Sequence, residues 1–346
     1  MLKTLRNYFF KDIAIDLGTV NTCIYMRKKG LILNQPSIVS IRKEHGPYGK
    51  EIIQAVGNEA KKMIGRLPKN IKLIKPIRNG VISNFTVSEQ MLKQFINIIK
   101  PRNFMYPNIR SIICVPCGST QVDIRAIRES ALGSGISNVY IMYEIMAAAI
   151  GAGLSIASAK GSMVVDIGGG KTDVAIISLG GIVCKHSISI GSEEFDKSII
   201  EYIRRNYGIL IGEPTAESIK MKINFEFQEH KNKKIKIKGL NISKGIPHSF
   251  FINSKEIFYS LKDPLKQIIS IIKLSLEKIP PEVGKDISEK GIIITGGGSL
   301  LNNLNFLIQK ETGLPVIVSK NPLNCVINGC GEALEYLEKL NAIFIK

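Results

Sequence analysis

Short apolar runs on either side of a glycine turn occur twice in this chain. In residues 12–25 the first run ends at Asp16, just before Gly18, and in residues 161–177 it ends near Asp166, before three consecutive glycines. Apolar runs of this length around a glycine cluster predict two strands joined by a tight turn. Because the two aspartates lie 150 positions apart, the repeat indicates two similar α/β halves with one such turn each.

A third apolar run, residues 291–295, also leads into glycines, at positions 296–298. The residues that follow differ from those after the first two turns, since Leu304, Leu307 and Ile308 have helical spacing. The backbone of such a turn can pack flat against a base or a ribose. The three turns together therefore predict one binding site, formed at the ends of strands, that can hold a phosphate and a nucleoside.

Glycine turns can hold a phosphate because glycine adopts conformations closed to other residues and carries no side chain that would keep the phosphate away. Asp16 and Asp166 would repel that phosphate unless a cation lay between them, and Mg²⁺ held through water is the expected ion. An ordinary hairpin is the alternative for one turn alone. The second copy favours a site in the cleft between two halves.

Local patterns predict elements away from these turns. The apolar spacing in 86–100 predicts a helix, and Thr120 with Asp123 predicts a capping box that opens a helix ending near Leu132. The alternation of lysine and isoleucine in 231–238 predicts a solvated edge strand rather than a nucleic-acid patch, since no aromatic residues interleave with the lysines. No nucleic-acid partner is expected.

The composition, with 346 residues, 45% hydrophobic and 22% charged, is that of a globular chain long enough for two domains. The net charge of +18 favours an anionic partner such as a membrane surface. Six cysteines without a secretory signal favour a reducing cytoplasm. We interpret Cys114 and Cys117, at the end of an apolar run, as unreactive thiols rather than a redox pair.

The first eleven residues have the pattern of a short basic amphipathic helix, which lies in a membrane interface rather than spanning it. A helix that packs on its own domain, or a frayed terminus, explains the periodicity equally well. A second apolar stretch, between Arg102 and Tyr106, can add a loop tip to the same contact. Under the membrane interpretation, the residues that touch the lipid surface are Leu2, Leu5, Phe9, Phe10, Phe104 and Met105.

The three glycine turns, in their order along the chain, resemble the two phosphate loops and the adenosine loop of the superfamily that contains actin, sugar kinases and chaperone ATPases. The segments 34–37, 126–131, 146–153 and 204–208 resemble one family within it, the MreB family of bacterial actin-like rod-shape proteins. This likeness extends from Met1 to about residue 340. A chaperone or a sugar kinase of the same superfamily is the alternative, but the former would need a peptide-binding domain and the latter a carbohydrate pocket.

The resemblance implies an α/β fold, the duplicated actin-like ATPase fold, with two ribonuclease-H-like halves, four subdomains and a nucleotide in the central cleft. The first half is expected over 1–150 with a small insertion at about 33–75. The second half is expected over 151–319 with an insertion at about 181–250. Residues 320–346 are expected to return to the first half.

The resemblance also assigns residues to an ATP site with Mg²⁺. The metal is expected at Asp16 and Asp166, through water. The expected catalytic residues are Glu144, which follows an apolar strand and would orient or deprotonate the attacking water, with Lys171 and Thr172; for Glu144, stabilisation of a helix N-terminus is an alternative and compatible role. The expected nucleotide-binding residues are Asp16, Gly18, Thr19, Val20, Asn21, Asp166, Gly168, Gly169, Gly170, Glu217, Ser218, Ile219, Lys220, Gly296, Gly297, Gly298, Ser299 and Leu300.

Two departures from the family pattern bear on hydrolysis. The chain has Tyr143-Glu144-Ile145 where the family has Glu-Glu-Pro, and Lys171 where the family has the first threonine after the glycines. A threonine hydroxyl can hydrogen-bond the water or the γ-phosphate, whereas an ammonium only donates and contributes charge. Whether the chain hydrolyses ATP is left open, and any turnover is expected to be slow.

The function implied by the resemblance is that of a cytoskeletal ATPase that polymerises with ATP into membrane-associated filaments, organises cell-wall synthesis and maintains rod shape. The expected partners are further copies of the chain, anionic lipids of the inner membrane, and membrane proteins of the rod-shape and wall-synthesis machinery. The expected location is the cytoplasm, peripherally on the inner face of the plasma membrane.

Overall fold

Two mixed β-sheets form the centre of the molecule in a computed structural model, which describes residues 10–43, 51–99, 108–222, 234–335, 337 and 344–345. In chain order, the strands are β1 (Phe10–Leu17), β2 (Asn21–Met26), β3 (Gly30–Pro36), β4 (Val39–Lys43), β5 (Glu51–Val56), β6 (Ile71–Ile74), β7 (Ile77–Arg78), β8 (Val81–Ile82), β9 (Asn108–Val115), β10 (Asn138–Tyr143), β11 (Ser162–Ile167), β12 (Thr172–Ser178), β13 (Gly181–Ile188), β14 (Ile209–Leu210), β15 (Lys234–Asn241), β16 (Pro247–Asn253), β17 (Ile292–Thr295), β18 (Val316–Val318) and β19 (Phe344–Ile345).

Helices cover the faces of these sheets. They are α1 (Asn58–Lys61), α2 (Phe85–Ile99), α3 (Gln121–Gly133), α4 (Glu144–Gly151), α5 (Ser192–Tyr207), α6 (Glu213–Lys222), α7 (Ser254–Ser260), α8 (Lys262–Glu277), α9 (Pro281–Lys290), α10 (Leu304–Thr312) and α11 (Cys325–Glu335), with 3₁₀ turns at Gly297–Leu300 and Pro322–Asn324. The predicted helix over 86–100 is present as α2. The predicted capping box opens α3, where Thr120 and Asp123 satisfy each other's backbone N–H groups.

The two large sheets share one plan. In the first, β3, β2 and β1 are antiparallel neighbours, and β9 and β10 continue the sheet parallel to β1, with β19 at the edge. In the second, β13, β12 and β11 repeat the antiparallel part, and β17 and β18 repeat the parallel part. Asp16 and Asp166 hold the same place, one residue before the end of the first strand. The duplication inferred from the two glycine turns is therefore present in the topology.

A buried core joins the two sheets through the helices α4 and α11. It contains Ala14 and Ile112 of the first sheet and Val164 and Ala175 of the second, together with apolar residues of both helices. The two helices touch through glycines at two points. A Cβ atom on Gly151 would overlap the carbonyl oxygen of Cys325, and one on Gly329 would overlap the carbonyl oxygen of Ala147. Only glycine allows backbones to approach this closely.

Cys114 and Cys117 are both buried at the end of β9. Burial raises the pKa of each thiol, and Cys114 also contacts Cys330 of α11. A thiol held in its neutral form is a poor nucleophile. The positions of both side chains thus support the interpretation that they are unreactive.

Three small sheets lie beside the large ones in the described part of the chain. Two have three strands, in the orders β5-β4-β6 and β14-β15-β16, and β7 and β8 form a two-stranded sheet. In β15 the side chains of Lys234, Lys236 and Lys238 are exposed while Ile237 is buried, as the alternation predicted. Over 234–238 β15 is paired with β16, and its pairing with β14 lies beyond the predicted range, at Leu240 and Asn241.

The described residues also limit the membrane prediction. Phe10 and Lys11 lie in β1, so the predicted amphipathic helix does not reach the eleventh residue. The reason is that Phe10 already pairs with Asn108 of β9 in the parallel ladder. Within the described ranges, no helix is long and apolar enough to cross a bilayer. The predicted membrane residues Leu2, Leu5, Phe9, Phe104 and Met105 lie outside the described residues.

Candidate functional site

A cavity of about 380 Å³ lies between the two large sheets, at the point where both glycine turns end. It is lined by parts of all three turns and by the starts or faces of helices α4, α5, α6 and α11. The predicted residues that line it are Asp16, Gly18, Thr19, Val20, Asn21, Glu144, Asp166, Gly168, Gly169, Gly170, Lys171, Glu217, Lys220, Gly296, Gly297, Gly298 and Leu300. The structure thus brings residues from positions 16 to 300 around one space.

Four predicted residues are not part of the cavity wall. The Thr172 side chain is buried, and its hydroxyl donates a 2.7 Å hydrogen bond to the carbonyl oxygen of Ile190. Ile219 packs into the core of the second half, next to the half-buried Ser218. The Ser299 hydroxyl donates to the carbonyl oxygen of Gly296. The hydrogen bonds of Thr172 and Ser299 therefore stabilise the second and third glycine turns from outside the cavity.

The two phosphate-type turns touch each other across the cleft. A Cβ atom on Gly169 would overlap the side chain of Val20. A Cβ atom on Gly170 would lie 3.0 Å from Oγ1 of Thr19 and 3.0 Å from Oδ1 of Asn79. The glycines of the second turn are thus needed for close approach to the first turn as well as to any ligand.

Four acidic side chains lie together at the base of the cavity, namely Asp16, Glu144, Asp166 and Asp173. Burial raises the pKa of Asp16 to about 7, and the charge of Asp166 adds to this effect. Burial likewise raises the pKa of Asp166 to about 6, against the hydrogen bond from Thr295, which lowers it. Their ionised forms are disfavoured because negative charges share a space of low dielectric constant. A cation in the cavity would offset this cost.

These carboxylates fit a divalent cation that keeps its water shell. Mg²⁺ prefers oxygen ligands and gives up its waters reluctantly, so one or two carboxylates beside a phosphate are a typical environment for it. Among the described residues, no group of three or more His, Cys, Asp or Glu side chains is arranged to ligate a metal directly. Asp16 and Asp166 as partners of water-held Mg²⁺ stay a prediction.

Glu144 is the first residue of α4, directly after the end of β10. Burial raises the pKa of its carboxyl group well above the usual value, and the charge of Asp16 acts in the same direction. The positive charge of Lys171 lowers it. Because a general base has to be ionised to accept a proton, Lys171 favours the form of Glu144 that can act on a water.

The opposite end of the cavity is apolar and suits a flat ring. Met221 of α6, Leu300 and Leu323 line it although all three side chains are largely exposed. Lys220 also lines it, but its ammonium group already donates to Asp196 at 2.8 Å and to the carbonyl oxygen of Ser192 at 2.9 Å. These two bonds use two of the three N–H donors of the ammonium group, and the aliphatic stem of Lys220 can cover the face of a flat ligand.

Several lining residues were not predicted from the sequence. Asp173 could have been found, because the hairpin places it opposite Asp166 in the ladder. Nothing in the sequence pointed to residues that reach the cavity through the tertiary fold. The missed lining residues are Gly80, Asp173, Ser192, Phe195, Met221, Leu301, Pro322, Leu323 and Val326.

Comparison with known proteins agrees with this geometry. The model of the MreB/Mbl protein family matches residues 10–342. The cell shape-determining protein MreB of Escherichia coli (strain K12) is 50% identical over 338 residues, which cover 98% of this chain and 97% of that protein. The cell shape-determining protein Mbl of Bacillus subtilis (strain 168) is 44% identical over 332 residues, covering 96% and 98%.

Solved structures give the same result for the fold. The crystal structure of MreB5 of Spiroplasma citri bound to AMPPNP has a TM-score of 0.89 and 33% identity, covering 95% of this chain and 97% of that chain. The MamK double helical filament, at 19% identity, has a TM-score of 0.78 and covers 95% of this chain and 99% of that chain. The predicted actin-like ATPase fold is therefore confirmed.

Proposed function

The chain belongs to the MreB/Mbl protein family, and from this premise we propose that it is an actin-like cytoskeletal ATPase that forms membrane-associated filaments with ATP. In this proposal the filaments organise cell-wall synthesis and maintain rod shape. The observation that carries the proposal is the meeting of two equivalent glycine turns, each with an aspartate, at one cavity that also has an apolar end. A ligand with a polyphosphate joined to a flat base would fit both the turns and the apolar end.

ATP is the proposed ligand, with its phosphates at the two turns and its adenine at Leu300, Leu323 and the stem of Lys220. The MreB5 structures of Spiroplasma citri, bound to AMPPNP and to ADP, support this assignment. Asp16 and Asp166 would hold Mg²⁺ through water. When bound, the ion would neutralise phosphate charge that the four carboxylates otherwise repel.

Hydrolysis would rest on Glu144, whose carboxylate lines the cavity and would accept a proton from a water beside the phosphate turns. Lys171 lies in the second turn, where it keeps Glu144 closer to its ionised form. Its ammonium group cannot accept a hydrogen bond, so it cannot aim the water as a hydroxyl would. We therefore propose slow turnover, with ATP binding retained.

Filament formation from copies of this chain is the proposed mode of action. MamK, which has the same fold, forms a double helical filament, and relatives at 44–50% identity are cell shape-determining proteins. Membrane proteins of the rod-shape and wall-synthesis machinery are the proposed further partners.

The membrane contact would come from the two apolar segments around Phe9 and Phe104. The register places Phe10, at the start of β1, beside Asn108, at the start of β9. Neighbouring strands are about 4.8 Å apart, so both segments join the sheet at the same end. With the net charge of +18, this arrangement supports binding to anionic lipid on the inner face of the plasma membrane.

The proposed division of the chain follows the two sheets. Residues 1–150 and 151–319 would form the halves, and 320–346 would return to the first half. Two contacts support this return, since α11 packs against α4 and β1, and β19 pairs with β10.

The proposal is tested by calorimetric titration of ATP with and without Mg²⁺. Asp16→Asn and Asp166→Asn should each weaken Mg²⁺-dependent binding by roughly tenfold or more, as loss of an outer-sphere partner commonly does. Asp123→Asn, at the exposed capping box of α3, is the matched control and should bind as the wild type does. Unchanged affinity in both site variants would contradict a ligand site at the two glycine turns.

ATP-dependent pelleting, with and without anionic liposomes, then tests filament formation.

A further inference from the structure

Lys75 bridges the two halves at the mouth of the cleft. It directly follows β6, in the small sheet of β4 to β6. Its Nζ atom lies 2.9 Å from Oε1 of Glu193 and 3.2 Å from Oε2 of Glu213. Both glutamates belong to helices of the other half, 118 and 138 positions further along the chain. One ammonium group thus connects three elements that are far apart in sequence.

The two glutamates stand on the helices that carry the ligand contacts. Glu193 is in the first turn of α5, and its backbone N–H donates to the carbonyl oxygen of Gly169 at 2.8 Å. Glu213 opens α6, the helix on which Glu217 and Lys220 line the cavity. Lys75 is therefore paired with the two helices that contact the second glycine turn and line the cavity.

A second cavity, of about 130 Å³, lies beneath this bridge. Its wall includes Lys75, Glu193 and Glu213, and it shares Thr19 and other residues with the larger cavity. The bridging residues consequently line a space that adjoins the site.

The two ion pairs differ in strength. The side chains of Lys75 and Glu193 are 34% and 25% exposed, whereas that of Glu213 is 61% exposed. Pairs shielded from water are screened less by salt than exposed pairs. Burial opposes the charge of Lys75, but the hydrogen bond and the charge of Glu193, followed by those of Glu213, raise its pKa overall. The contact with Glu193 is thus the stronger of the two.

We propose that Lys75 is a latch that keeps the cleft closed over its ligand, so that the ion pairs with Glu193 and Glu213 have to break before the nucleotide leaves. This inference rests on the proposed function in one respect, since it takes the ligand to be a nucleotide. The closing of the cleft by the latch is independent of what the ligand is.

The test measures release of a fluorescent ADP analogue from the full-length protein by stopped flow. Lys75→Met keeps the aliphatic stem and removes the charge, and it should speed release about fivefold, in line with the loss of one partly shielded pair and one exposed pair. Glu193→Gln should have a larger effect than Glu213→Gln. The double change Lys75→Glu with Glu193→Lys should restore part of the slow release. Rising salt should speed release from the wild type and leave Lys75→Met nearly unchanged.

Lys62→Met is the matched control, because Lys62 forms a 2.6 Å ion pair with Glu59 that stays within the first half. It should release the analogue at the wild-type rate. A Lys75→Met protein that also releases at the wild-type rate would overturn the latch.

Amide hydrogen exchange without nucleotide separates the latch from the proposed ligand. The N–H groups of Ser192 and Glu193, which are bonded to the second glycine turn, should exchange faster in Lys75→Met and at the normal rate in Lys62→Met. If the wild type bound no nucleotide, the nucleotide assignment would fail while this measurement still decided the latch. Equal exchange in Lys75→Met and the wild type would refute it.

Discussion

The Thr295 hydroxyl donates a 2.7 Å hydrogen bond to the carboxylate of Asp166. The two residues are also paired in the parallel ladder of β17 and β11. Thr295 ends the strand that leads into the third glycine turn, and Asp166 precedes the second. One contact therefore links the proposed nucleoside end of the cavity to its proposed phosphate end. It also stabilises the charged form of Asp166, whose pKa burial raises to about 6.

Removing this hydroxyl should shift the pH dependence of metal binding. Thr295→Val should raise the pKa of Asp166 further, so that Mg²⁺-dependent ATP binding weakens severalfold near pH 6 but little well above pH 7. Calorimetric titrations over this pH range measure the shift. Thr312→Val is the control, since that hydroxyl donates to the carbonyl oxygen of Ile308, far from the carboxylates. A pH midpoint equal to the wild type would show that Thr295 does not tune Asp166.

Lys171 and Glu144 should have opposite effects on hydrolysis. Lys171→Thr should raise the single-turnover rate of the polymerised protein, because a hydroxyl can help to hold the attacking water. Glu144→Ala should abolish the remaining activity, since one aligned catalytic group commonly contributes about 10²-fold or more. A Lys171→Thr rate equal to or below that of the wild type would mean that the ammonium group, which lowers the pKa of Glu144, is itself a working catalytic group.

The N-terminal segment should carry much of the membrane binding. Deletion of residues 1–9, or Phe9→Glu, should release the protein from anionic vesicles in a flotation assay, because buried apolar area and basic charge act together there. Phe306→Glu places the same charge at an exposed phenylalanine of α10 and should leave flotation unchanged. If the truncated protein still floated fully, the membrane contact would instead be assigned to Phe104 and Met105.

The glycines at the helix crossing should be sensitive to the smallest substitution. Gly151→Ala or Gly329→Ala should destabilise the protein by about 1–3 kcal/mol or more, as overpacking of a tight core does. Gly284→Ala is the control, since a Cβ atom there in α9 would meet only Ile279, at 3.8 Å. That change should be neutral or stabilise by up to about 1 kcal/mol. Denaturant unfolding of the three variants measures the difference, and a stable Gly329→Ala protein would contradict the close crossing.

Local chemistry was readable from the sequence. The turns after Asp16 and Asp166, the strand before Gly296 and the capping box of Thr120 each depend on residues within a few positions of one another. The position of Glu144 between a strand and a helix could be predicted for the same reason. Physical rules that act over short distances along the chain were sufficient for these elements.

Features that depend on distant contacts were not readable. Helix α11 is one of them: it begins at Cys325 and contains Gly329. Glycine lowers helix propensity, and only the packing of α11 on α4 explains why it is present. Lys75 and Glu193 look like ordinary surface charges in the sequence. Their pairing becomes visible only when the two halves are folded against each other.

The crossing at Gly151 and Gly329 has a further consequence for protein engineering. Neither glycine lines the cavity, yet together they set how closely α4 and α11 approach and hence how far apart the two sheets stand. The width of the cavity is thus set by two glycines, at the crossing of α4 and α11, that do not line it. A redesign of the cavity for a bulkier ligand would have to begin at this helix crossing, because substitutions among the lining residues do not change the distance between the two sheets.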